Sequence, residues 1–352
     1  MKNLLVVFTG GTIGSKQQGA GIDVNQSGSY ALIEGFMNSS HYREDVMLDA
    51  IQPLNMLSEN ICPSDWLTLA AAIRGIDMSA YHGVIITHGS DTLAYSAAMF
   101  SYLFADTSLP IVLTASNYPL SDGRSNGSRN FANAVHYIAD AGLPGVFVVY
   151  ENDQGEPLVY LGTRITQAVS FTDQFGSPYD EPFGRIVERN FEWHASVRSP
   201  EPKQLMQQRE ALFTWEPHTL AIDTSIVYIK PFPGLNYTYY DFSNQKPKAV
   251  LHDLHHSGTA CAIEEGPYSL LAFMSRCLAQ GIDFYICPIK DRTDALYSSS
   301  LRLIEAGATV IENMSMEAAV TKLMLAYGIY DQKEQVEAFM NGTTLYYERN
   351  EV

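Results

Sequence analysis

The chain has 352 residues, 46% of them hydrophobic and 17% charged, which suits a sizeable core and excludes a disordered chain. Its 22 basic and 39 acidic residues give a net charge of −17, so no basic surface is on offer to nucleic acid. No apolar run approaches the length of a membrane span, and Cys62, Cys261, Cys277 and Cys287 show neither a CxxC pair nor a cysteine–histidine cluster, so neither a metal nor a cofactor is expected.

The first element is the most telling. Leu4-Leu5-Val6-Val7-Phe8 is an all-apolar run of the kind that forms a parallel strand covered on both faces. It runs into Thr9-Gly10-Gly11-Thr12-Ile13-Gly14, a glycine-rich turn with a hydroxyl at its tip. No cleavage-type small residues follow the run, so a signal peptide is not expected and a cytoplasmic location is. Further strands are expected at 46–51, 83–88, 110–114 and 145–150, and helices at 28–39, 64–78, 91–105 and 127–142. Pro63, Ser64 and Asp65 open the second of these helices. Strand–helix alternation predicts a mostly parallel, doubly wound sheet with helices on both faces. The pattern breaks after Tyr150. Glycine and proline punctuate 151–190, which reads as a hairpin and loops, and 195–222 is polar and proline-containing, a connector. Strands at 225–229, 248–252, 282–287 and 308–311 then alternate with helices at 266–280, 297–306, 315–327 and 332–340. The expected organisation is α/β throughout: a large N-terminal domain over 1–194, a linker over 195–222 and a smaller C-terminal domain over 223–352.

The strand at 83–87 repeats the arrangement of the first. It ends in His88-Gly89-Ser90-Asp91-Thr92, where a histidine, hydroxyls and a carboxylate crowd a strand end. The carboxyl ends of strands are where open α/β sheets bind ligands. The glycine loop taken alone also fits a phosphate site, but it lacks the Gly-Lys-Ser/Thr ending of a P-loop and the GxGxxG spacing of a dinucleotide site. The two loops together resemble the L-asparaginase family, whose signatures are T-G-G-T-I and H-G-T-D-T, closer to its intracellular type I form. The likeness spans nearly the whole chain and is densest over 4–150. It implies hydrolysis of a side-chain amide, which needs a nucleophile, a proton acceptor and donors for the oxyanion. By the resemblance Thr12 is the nucleophile, Ser90 the second hydroxyl, and Asp91 the acid that binds the substrate α-amino group. Ser58 binds the α-carboxylate, with Gly11, Glu59 and Gly89 beside it. The partner implied is a small amino acid or amide, with no nucleic acid and no membrane, and the assembly a homodimer or homotetramer.

Three positions depart from the family pattern. Its loop tyrosine corresponds to Ile22, with Tyr30 further along. Its lysine, in a segment like R-x-T-K, corresponds to Gln167 in Gly162-Thr163-Arg164-Ile165-Thr166-Gln167. Glutamine can be neither a cationic partner nor a proton shuttle. In Ser125-Asn126-Gly127-Ser128-Arg129-Asn130 an asparagine stands where the family's S-D-G has an acid, and Asp122-Gly123 offers a rival register. In the second domain His252-Asp253-Leu254-His255-His256-Ser257-Gly258-Thr259 takes the place of the loop that reaches a neighbouring subunit's substrate, with Thr259 at the family's asparagine position. Adjacent His255 and His256 would face opposite sides of a strand, which disfavours a metal site. The expected activity is asparaginase-like, with Thr12, Ser90, Asp91 and Gln167 at the catalytic positions. The alternative is a weakened or re-purposed homologue that binds an amino acid or amide as a sensor or partner subunit.

Overall fold

The computed structural model describes residues 1–10, 15–18, 21–24, 26–207, 209, 213, 215, 220–289, 295–342, 344 and 346–350, with the backbone alone at 15–18, 21–24 and 26–30. The chain divides into two compact units, Met1–Pro217 with Tyr346 and Tyr347, and His218–Thr344 with Glu348 to Asn350. Among the described residues no helix is long and apolar enough to cross a membrane.

The first unit is built on an eight-stranded sheet. The strands in chain order are β1 (Lys2–Phe8), β4 (Val46–Ile51), β5 (Gly83–Thr87), β6 (Pro110–Thr114), β7 (Gly145–Glu151), β8 (Pro157–Leu161), β9 (Gly184–Val187) and β10 (Asn190–Trp193). A separate antiparallel pair, β2 (Ser15–Gln18) and β3 (Gly21–Val24), lies between β1 and β4 in sequence. The sheet order is β4-β1-β5-β6-β7-β8-β9-β10. Its first five strands are parallel and its last three join antiparallel. The segment 151–190, whose glycines and prolines read as a hairpin and loops, thus contributes two strands to the sheet and leads into a third. Helices α1 (Gln26–Met37), α2 (Pro63–Arg74), α3 (Leu93–Leu103) and α4 (Gly127–Asp140) accompany the parallel strands, and α5 (Pro202–Leu205) is a single turn. α3 is apolar nearly all round and buried along almost its whole length, as such a helix must be. α2 stops at Arg74, short of the expected 78, where Gly75 follows and its N–H closes the last turn on Ala71.

The parallel strands define the place of the site. β1 is flanked by β4 on one side and β5 on the other, so the strand order reverses there. In a doubly wound sheet the crevice outside the carboxyl ends at such a reversal is where ligands bind. The two signature loops leave the sheet at the carboxyl ends of β1 and β5.

The second unit has a parallel sheet in the order β11 (Ile226–Ile229), β12 (Ala249–Asp253), β13 (Asp283–Ile289), β14 (Thr309–Glu312). It carries α6 (Leu270–Ala279), α7 (Ser298–Glu305), α8 (Met316–Ile329) and α9 (Lys333–Asn341). α6 begins four residues later than the sequence suggests. Gly266 takes a positive φ of 101° and Pro267 follows, so the helix starts only where Ser269 accepts from the Ala272 N–H at 3.0 Å.

Each unit buries a histidine in neutral form. His136 on α4 is 1% exposed; burial, with Arg43 and Arg189 nearby, lowers its pKa from 6.5 to about 4. His252 on β12 is fully buried against the Tyr237 hydroxyl at 2.9 Å, and burial lowers it to about 4 as well. Between those values the unfolded chain binds more protons than the folded one. The stabilisation is therefore complete above about pH 6.5 and lost as the pH falls towards 4, roughly 2–3 kcal/mol for each histidine. Urea midpoints should fall steadily from pH 6.5 to 4.5, and His136→Leu should flatten part of that decline. A flat profile over this window would contradict the assignment.

Candidate active site

The carboxyl ends of β1 and β5 are stitched together before either loop begins. The Thr9 hydroxyl donates to the Thr87 carbonyl at 2.8 Å, and the His88 N–H donates to the Thr114 carbonyl of β6 at 2.8 Å. The Met56 N–H donates to the Thr9 carbonyl at 2.9 Å, and Gly10 bridges Met56. Gly10 has φ of 99°, a left-handed conformation that glycine adopts without strain, so the chain turns out of the sheet there. Gly11 and Thr12 lie outside the described residues, as do the side chains of Ile22 and Tyr30.

The second loop is described fully. Ser90–Thr92 forms one 3-10 turn that leads into α3. A second such turn, Ser58–Asn60, docks against it, and the Thr92 hydroxyl donates to the Ser58 carbonyl at 2.9 Å. Gly89 permits this approach, since a β-carbon there would stand 2.6 Å from the Ser58 β-carbon and closer still to its hydroxyl oxygen. Ser58 is 5% exposed, Glu59 beside it is exposed, Ser90 is half-buried and Asp91 is exposed. Thus Ser58, Gly89, Ser90 and Asp91 are brought together at the switch point. His88 takes a different part from the one its setting suggests. It is buried, its Nδ1 lies 2.8 Å from the Gly89 carbonyl, and its Nε2 meets the Ser96 hydroxyl at 2.9 Å. That hydroxyl accepts from the Trp66 indole at 2.8 Å. The relay is satisfied throughout by a neutral ring that donates from Nδ1, and burial lowers the pKa of His88 in keeping with it. His88 is a strut under the loop.

The lysine position of the family pattern reaches the same place. Gly162-Thr163-Arg164-Ile165 is anchored inside the first unit: the Thr163 hydroxyl donates to the Tyr346 carbonyl at 2.8 Å, and the Arg164 Nε donates to the Tyr347 carbonyl at 2.5 Å. Ile165 is fully buried, and the chain then emerges at Gln167. The Gln167 Nε2 donates to the Asp91 main-chain carbonyl at 3.2 Å. A neutral amide thus touches the turn that carries Ser90 and Asp91. Beside it opens a cavity of about 360 Å³, lined among others by Ser90, Asp91, Tyr150, Gln167, Asp173 and Phe175.

Tyr150, Asp173 and Asn117 were not singled out from the sequence. Tyr150 sits at the end of β7, and a polar residue closing an otherwise apolar strand is the signal that could have found it. Burial and the nearby acids Asp173, Asp153 and Glu151 raise its phenol pKa. The Asp173 carboxylate accepts from the Asn117 amide at 2.8 Å. Asn117 in turn exchanges bonds with Asn126: the Asn126 N–H donates to Asn117 Oδ1 and the Asn117 N–H to Asn126 Oδ1, both at 3.0 Å. The Asn126 side chain also donates to the Glu151 carbonyl at 3.2 Å, which a carboxylate could not do. Asn126 thus has a structural part here.

In the second unit, His252 is core and Asp253 accepts from the Tyr228 hydroxyl at 2.8 Å. Residues 255–259 form a tight turn closed by His255 and Thr259, with Thr259 half-buried. Among the described residues no three of His, Cys, Asp and Glu are placed to hold a metal ion.

Comparison with known proteins agrees with this geometry. The family model described as Asparaginase, N-terminal, matches residues 3–198. The L-asparaginase of Thermococcus kodakarensis is 28% identical over 347 residues, 96% of each chain. The solved structure of the thermostable L-asparaginase from Thermococcus kodakarensis superposes with a TM-score of 0.79 at 25% identity, over 99% of this chain and 100% of that one. A glutamyl-tRNA(Gln) amidotransferase subunit from Pyrococcus abyssi is 24% identical over 351 residues, 97% of this chain and 75% of that protein.

Proposed function

The chain belongs to the asparaginase family, and from that premise we propose that it is a cytoplasmic amidohydrolase that cleaves the side-chain amide of L-asparagine or a related amide and releases ammonia. The observation that carries this reading is the convergence of Ser58, Ser90, Asp91 and Gln167 at the carboxyl end of β5. Thr12, on the loop that leaves β1 at Gly10, attacks the amide carbonyl carbon. Ser90 is the second hydroxyl across the substrate. Asp91 holds the α-ammonium, and Ser58, with Gly11, Glu59 and Gly89 around it, holds the α-carboxylate. Gln167 occupies the lysine position as a neutral donor, so proton movement there falls to the hydroxyls or the substrate. Losing such a partner costs about 10²–10⁴ in rate, and slow turnover of plain asparagine is expected.

Ammonia release from a panel of side-chain amides tests the reading. Thr12→Ala should remove turnover and leave calorimetric binding of L-aspartate largely intact. Asp91→Ala should weaken that binding roughly 10- to 150-fold, since a charge-assisted contact contributes about 1.5–3 kcal/mol. If the amides are inert while L-asparagine still binds, the second reading stands: a sensor or partner subunit. Gln167 and the likeness to an amidotransferase subunit favour that alternative.

The unit carrying Thr259 and the 252–259 loop serves, in this reading, a neighbouring copy's site across a homodimer or homotetramer, with 195–222 as the connector. Light scattering should then give at least twice the 39.0 kDa of one chain at micromolar concentration. A monomer would remove the 252–259 loop from the site.

A further inference from the structure

The cavity beside Ser90 and Gln167 is larger than a plain side-chain amide requires, and its chemistry is one-sided. It extends from the turn at Ser90 and Asp91 to Tyr150 at the end of β7, and its outer wall is the segment 167–175. That wall is held in shape by its own turn: the Val169 N–H donates to the Gln174 carbonyl at 3.0 Å, and the Thr172 N–H to the Val169 carbonyl at 3.1 Å. Asp173 is fixed at both ends. Its carboxylate accepts from Asn117 at 2.8 Å, and its N–H donates to the Asp153 carboxylate at 2.9 Å. The charged residues among the described lining are Asp91 and Asp173, both acids. No arginine, lysine or histidine lines the cavity among those residues, and the family's one cation at this place is replaced by Gln167. A hollow lined by two carboxylates, that of Asp173 held in place, with Tyr150 and Gln167 supplying neutral polar groups, favours a positive charge by Coulomb attraction and repels a negative one.

On the strength of the amidohydrolase reading above, we infer that this cavity receives a positively charged substituent carried on the nitrogen of the scissile amide, so that the preferred substrate is an N-(aminoalkyl) amide of the asparagine type. The substituent's ammonium lies against Asp173 and takes the side of the turn where the family carries its lysine. The acceptor at the far end and the amino-acid end at Asp91 and Ser58 then hold the substrate at two points, with the C–N bond between them. The net step is hydrolysis. Water adds across the amide bond, its hydroxyl to the carbonyl carbon and its proton to the departing nitrogen, giving L-aspartate and a free diamine.

The test compares L-asparagine with three N4-substituted forms: 3-aminopropyl, the neutral isostere n-butyl, and 2-carboxyethyl. Aspartate release is read for each. The aminopropyl amide should exceed the butyl amide in kcat/KM by about tenfold or more, as a charge-assisted contact implies, and the carboxyethyl amide should be the poorest. Asp173→Asn should shrink the aminopropyl-to-butyl ratio at least about fivefold. Gln167→Lys, an exposed position where folding is not at issue, should lower the same ratio by placing a tethered cation in the hollow. Equal rates for aminopropyl and butyl amides overturn the inference, and so does cleavage of L-asparagine alone. In both cases the amidohydrolase reading survives. If none of the four yields aspartate, both fall together.

Discussion

Glu348→Gln should lower the unfolding free energy by about 3–5 kcal/mol, the cost of stripping one partner from a fully buried ion pair. Both side chains of the Lys322–Glu348 pair are 0% exposed, with Nζ to Oε1 at 2.6 Å. The Lys322 ammonium also donates to the Met340 carbonyl at 3.2 Å. Burial pulls the lysine pKa down, and the carboxylate opposes that pull. A glutamine would leave the ammonium facing a dipole in a dry site, and the lysine would shed its proton at a cost. The pair itself is a different matter. Two buried charges give back in attraction roughly what they lose in hydration, so the double variant Lys322→Met with Glu348→Leu should recover most of the loss. Urea unfolding of the three proteins decides it. A single variant as stable as the parent would mean that the carboxylate contributes no charge compensation.

Gly89→Ala should cut kcat/KM roughly 100-fold while costing about 1–3 kcal/mol in stability. The backbone at Gly89 is not the obstacle, for φ of −88° and ψ of 151° suit any residue. The obstacle is Ser58. A methyl group at 89 would press on both the β-carbon and the hydroxyl of Ser58, and the turn Ser58–Asn60 must retreat from Ser90–Thr92. That displaces the group proposed for the α-carboxylate relative to the groups proposed for the amide and the α-ammonium. Gly123→Ala is the matched control, because nothing lies within 4 Å of the added carbon and its activity should be that of the parent. If Gly89→Ala hydrolyses its best amide as the parent does, Ser58 has no part in binding.

Much of the first unit is legible in the sequence. Its parallel strands are runs such as Val84-Ile85-Ile86 and Val146-Phe147-Val148-Val149, apolar on both faces because helices cover both. Strand order could not be read in the same way. Nothing local in β1 says that β4 and β5 lie on either side of it, yet that reversal is what places the loops at one crevice. The antiparallel β8–β10 are legible only as a hairpin and loops, because their pairing depends on register with β7 and the glycines and prolines between them mask the alternation. At the site, the R-x-T-x segment brings Gln167 to the Asp91 carbonyl, since a buried isoleucine and two anchored side chains fix where the next residue emerges. His88 is the opposite case. A histidine beside hydroxyls invites a chemical reading, whereas its two nitrogens are taken up by the Gly89 carbonyl and the Ser96 hydroxyl, and the ring is buried under the loop. Asp173 and Asn117 carry no motif at all. They matter because a turn and an asparagine pair bring them to a strand end.

The pair Tyr346 and Tyr347 has a bearing on how the protein is made. Tyr346 is 1% exposed within the core of the first unit; its hydroxyl donates to the Pro144 carbonyl at 3.3 Å, and its own carbonyl receives the Thr163 hydroxyl. Tyr347 accepts from Arg164, the residue after Thr163. A nascent chain leaving the ribosome therefore completes the sequence of β1 to β10 long before the ring that closes their core has been synthesised. Domains usually fold as they emerge, N-terminal first. Here the core of the first unit is completed only by a residue made after nearly all of the second unit. A chain cut just before Tyr346 would lack both the ring that closes this core and the two carbonyls that anchor Thr163 and Arg164 ahead of Gln167, and chaperones and proteases would meet it as if it were still being translated.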